Sequence, residues 1–95
     1  MALDVLRRKR LELERKQAKL HAWIDLRSQV LTDIVVLQRD VVAAQTQIRR
    51  LQRAGEDASS LHAEVGTMFD KLKQLHELQV EIDAKVAKLE GRPGR

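Results

Sequence analysis

The residues with the chemistry to react or to ligate a metal are few and scattered. The three histidines, His21, His62 and His76, are far apart in the chain. HELQV at residues 76 to 80 has the first half of a zinc-binding HExxH helix, but Val80 stands where the second ligand is required. Ser59 and Ser60 have no histidine placed to act as a base, and they read as turn and capping residues. With no cysteine there is neither a disulfide nor a thiolate metal site. The glycines are dispersed, so no phosphate-cradling loop forms. Trp23 falls among core positions. The expectation is a non-enzyme that uses no metal, cofactor or small-molecule substrate.

What remains is charge and periodicity. Charged residues are 34% of the 95 and aromatics 2%, a composition of long helices and coiled coils. Residues 1 to 20 hold Arg7, Arg8, Lys9, Arg10, Arg15, Lys16 and Lys19 against Asp4, Glu12 and Glu14, which accounts for the whole net charge of +4. Such a basic end attracts an acidic protein surface, RNA or anionic lipid, or serves as a solvated face. MALDVLRRKR has no apolar stretch of the kind a signal peptide needs, and the longest aliphatic run is Ile34 to Leu37. A soluble, intracellular chain, cytoplasmic in location, is expected, with no membrane partner.

Counting in sevens from Leu6 gives Leu6, Leu13, Leu20, Arg27, Ile34, Val41 and Ile48; three further on stand Trp23, Val30, Leu37, Ala44 and Leu51. This a/d seam predicts one helix from about residue 4 to residue 53, although Thr32 and Asp33 could start a new one. A second seam runs through Leu61, Val65, Met68, Leu72, Leu75, Gln79, Ile82, Val86 and Leu89, and Gly91 and Pro93 stop it. Between them, AGEDAS at 54–59 reads as a corner. Gly55 suits the left-handed position after a helix, and Asp57 or Ser59 can accept from the free N–H groups of the next.

The predicted fold is all-α: an antiparallel two-helix coiled-coil hairpin over 21–90, a basic helical overhang over 1–20 and a disordered tail over 91–95. Arg27 and Gln79 interrupt the seam, either fixing register or lying at its open edge. Outside the seam, Ile24, Leu31, Val35 and Val42 form a second apolar stripe on the first helix; Phe69, His76, Val80 and Ala87 repeat its steps on the second. Left in water, each large apolar side chain forgoes about 1.5–3 kcal/mol of burial. The stripes therefore predict a protein interface at Ile24, Leu31, Val35, Val42, Phe69 and Val80, completing a four-helix bundle by self-association or with a partner helix.

The corner also resembles a known family. Arg53, Gly55, Glu56, Asp57, Ala58, Leu61, Glu64 and Val65, continued by Lys71, Leu72 and Leu75, are similar to the turn of the N-terminal tRNA-binding arm of seryl-tRNA synthetases, and the likeness spans about residues 23–90. It implies an antiparallel coiled-coil arm whose basic side chains, here Arg39, Arg49, Arg50 and Arg53, meet the phosphates of a serine tRNA. Because only the arm is matched, it implies no aminoacylation.

Two functional expectations follow. One is an interaction and assembly module, a scaffold whose partner is itself or another helical protein and whose Arg7, Arg8, Lys9 and Arg10 meet an acidic surface. The other is an RNA-binding helical arm held by phosphate contacts, since stacking aromatics are scarce.

Overall fold

The computed structural model describes residues 2–91 as an all-α helical hairpin, α1 (Ala2–Arg53) followed by α2 (Ser59–Leu89), with no strand among the described residues. The four residues after Gly91, most of the tail expected to be disordered, lie outside the described residues. At the α-helical rise α1 is about 78 Å long, and it sets the 81 Å length of the molecule.

Helix α1 passes through its polar centre unbroken because the side chains there bond within the helix. The Thr32 hydroxyl donates to the Ser28 carbonyl at 3.0 Å, and the Gln29 amide donates to the Asp33 carboxylate at 2.9 Å. The side chains with the chemistry to open a new helix are occupied by the existing one.

The corner is built as its residues require. The Glu56 N–H donates to the Leu51 carbonyl at 2.8 Å and the Gly55 N–H to the Gln52 carbonyl at 3.1 Å. These are the two closing bonds of a Schellman motif, with Gly55 at φ 73° in its left-handed position. Asp57 then prepares α2: its carboxylate accepts from the Ser59 N–H at 2.9 Å and from the Ser59 hydroxyl at 3.0 Å. Of the two capping candidates Asp57 accepts, while the Ser59 hydroxyl donates. Those bonds, the backbone one first, hold the Asp57 carboxyl below its ordinary range. Ala58 occupies the N-cap and is buried under the corner.

Both seams turn inward. Val30, Ile34 and Val41 of α1 pack with Leu72, Ile82 and Val86 of α2. Nearer the corner Ala44, Ile48, Ala58 and Val65 form a second cluster, and Met68 touches both. Ile82 is fully buried. Of the polar interruptions, Arg27 lies at the seam's edge, its guanidinium 3.9 Å from the Asp83 carboxylate of α2. At 35% and 51% side-chain exposure that pair is screened by water and contributes well under about 1 kcal/mol.

The seam begins at Leu20, half-buried against the core; residues 2–19 are helical and exposed among the described residues. Leu3, Leu6, Leu11 and Leu13 therefore stand in solvent on an isolated stretch of α1.

Candidate functional site

Two faces flank the seam, and helical spacing assigns each residue to one of them. On the first, Leu31, Val35 and Val42 of α1 and Phe69 and Val80 of α2 are 40–69% exposed. Five of the six residues expected at an interface are thus open side chains. Ile24 differs: it is half-buried and packs on the core cluster beside Leu20 and Trp23. The reason is positional, since Ile24 sits next to Trp23, close to where α2 ends, and leans into the seam. Ala87 is likewise half-buried, and His76 is exposed.

The opposite face holds a groove of about 460 Å³ between the helices. Val36, Leu37, Leu75 and Leu78 supply its apolar surface, Asp33 and Asp40 stand on its α1 side, and Lys71 and Gln74 on its α2 side. Val36 and Leu78 are 49% and 37% exposed. Sequence reasoning did not single out this groove. Val36 is hidden in the aliphatic run IVVL, and the apolar neighbours of Leu78 at helical spacing, Leu75 and Ile82, are already claimed by the seam. The signal that could have found it is the Asp33/Asp40 pair around Val36, which marks a face distinct from the stripe.

The basic residues form two separate groups. Arg7, Arg8, Lys9 and Arg10 are exposed on the overhang, where Arg10 Nε is 3.4 Å from Glu14 one turn on. Arg39, Arg49, Arg50 and Arg53 are exposed along the half of α1 nearest the corner, and none joins the Arg10–Glu14 or Arg27–Asp83 pairs. Helix α1 holds the two groups some 45 Å apart, measured as about thirty residues at the helical rise.

Among the described residues no three His, Asp or Glu side chains gather where a metal could be held. No helix there is long and apolar enough to cross a membrane. Compared with family models, curated proteins and solved structures, the chain finds no match. Its own surfaces are therefore the basis for assigning a role.

Proposed function

We propose that the chain is a non-enzymatic coiled-coil assembly module, a helical hairpin whose exposed apolar stripe buries against another pair of helices to make a four-helix unit. The observation that carries this is the alignment of Leu31, Val35, Val42, Phe69 and Val80 on one face of both helices, all open to solvent. Isolated apolar residues are ordinary on protein surfaces, but a row spanning two packed helices is what a bundle interface presents. Burying such a side chain fully is worth about 1.5–3 kcal/mol, and each of these five, already partly covered, gains a share of that when the face is buried.

Leu31→Glu with Val35→Glu tests it. Both side chains point away from the seam, so helix content by circular dichroism should stay near wild type while association through this face is lost. Wild-type association strength in the double variant would exclude the stripe as the interface.

A second reading, an RNA-binding arm, is favoured by one observation: Arg39, Arg49, Arg50 and Arg53 are exposed near the corner, outside both ion pairs described above. Phosphate contacts from these residues would give an affinity that falls steeply with salt. Charge reversal at Arg49, Arg50 and Arg53 should then abolish tRNA binding in a filter or mobility assay, and unchanged binding would remove the assignment.

A further inference from the structure

The molecule has an unpartnered helix and an unfilled groove, and their residues correspond. Lys9 and Lys16 lie seven residues apart on one side of the overhang, with Leu13 between them and Leu6 one turn before. Asp33 and Asp40 lie seven residues apart beside the groove, with Val36 between them. Laid antiparallel, a single register sets Lys9 opposite Asp40 and Lys16 opposite Asp33. The same register brings Leu13 opposite Val36, and Leu6 opposite Ala43, whose small side chain admits a close approach.

We infer that the groove receives the basic overhang of a second copy of this chain, whose own groove receives the first copy's overhang. The exchange closes about a two-fold axis passing near Ile24 and Asp25. A parallel alignment would also match lysines to aspartates, but it would leave an overhang open at one end and a groove open at the other and grow into a filament. The stripe is a poorer seat for this segment: Arg49 and Lys73 on that face repel a basic helix, whereas the groove offers the two carboxylates Asp33 and Asp40 against one lysine, Lys71, on its far side. Docking would cover leucines of the overhang that stand exposed among the described residues, and it would complete a three-helix layer over each hairpin. The inference goes beyond the assembly reading, which rests on the stripe: it assigns the opposite face an occupant, a second copy, and names the segment that reaches it.

Because the chain has no cysteine, cross-linking can be directed cleanly. Leu13→Cys with Val36→Cys, treated with a short bismaleimide, should give a covalent dimer of twice the chain mass. A link within one chain is impossible, since the two positions are about 35 Å apart along one helix. Leu13→Cys with Val42→Cys, which places the second thiol on the stripe, should stay largely monomeric. Adding Lys9→Glu and Lys16→Glu should suppress the 13–36 link severalfold, and adding Asp33→Lys and Asp40→Lys to that chain should restore it.

The same cross-link is then measured with Leu31→Glu and Val35→Glu present. If it persists while association through the stripe is lost, groove docking stands independently; if the stripe variant associates normally, only the stripe interface fails. Absence of a 13–36 dimer, equal linking at 13–42, or failure of the charge swap to restore the link would overturn the inference.

Discussion

Residues 2–19 and residues 20–53 belong to one helix, carry large apolar side chains at matching heptad positions, and yet differ in what those side chains do. In the second segment Val30, Ile34, Val41 and Ile48 are buried against α2. In the first, Leu6 and Leu13 are 62% and 60% exposed. Helix formation is continuous across the boundary, so local preference supplies the rod; burial begins only where a second helix is present. Packing of an apolar face, more than propensity, stabilises most helices, and the overhang is a helix still lacking that packing.

The sharpest way to break this comparison is to truncate one seam residue in each segment. Ile82→Ala, at the fully buried centre, should lower hairpin stability by about 2–5 kcal/mol in chemical denaturation, because it removes transfer free energy and leaves a cavity. Leu13→Ala, measured at a dilution where the chain is monomeric, should change stability by less than about 0.5 kcal/mol. Comparable losses at both positions would mean that the overhang has a partner within its own chain.

Smaller effects test the corner and α2. Gly55→Ala forces a Cβ into the left-handed region and should cost about 1–2 kcal/mol by thermal or chemical unfolding. Gly66→Ala has the opposite sign. Nothing lies within 4 Å of a Cβ built there, so removing a helix-interior glycine should stabilise α2 by about 1 kcal/mol. If Gly66→Ala leaves stability unchanged but weakens association, that site is instead a close contact between chains.

The smallest expected effect is a pH dependence at Asp57. Its folded pKa is lowered by the Ser59 N–H and hydroxyl, so its stabilisation is present above the ordinary carboxylate range and fades as pH falls through that range toward the folded value. Asp57→Asn should flatten the acid limb of a stability-versus-pH curve slightly, and an unaltered limb would show that the cap contributes nothing measurable.

Much of the fold was legible in the sequence because its signals are local. The alternating steps of the α2 seam placed Val65, Leu72, Ile82 and Val86 inward, and Gly55 with Asp57 marked the corner. Less could be read where two helices act together. Ile24 has the spacing of a stripe residue but joins the core, because its exposure depends on where α2 ends beside it. The Val36/Leu78 groove arises only when two unrelated surface positions are brought side by side. Arg27 was ambiguous for the same reason, since its partner Asp83 lies across the hairpin.

The central claim is self-assembly, and light scattering during size exclusion at low salt, with absorbance recorded at two wavelengths, addresses it most directly. The expected result is a protein mass of at least twice the 10.9 kDa chain, free of nucleic-acid absorbance and reduced by Leu31→Glu with Val35→Glu. A wild-type monomer at single-chain mass, carrying nucleic acid, would contradict assembly and support the RNA-binding arm.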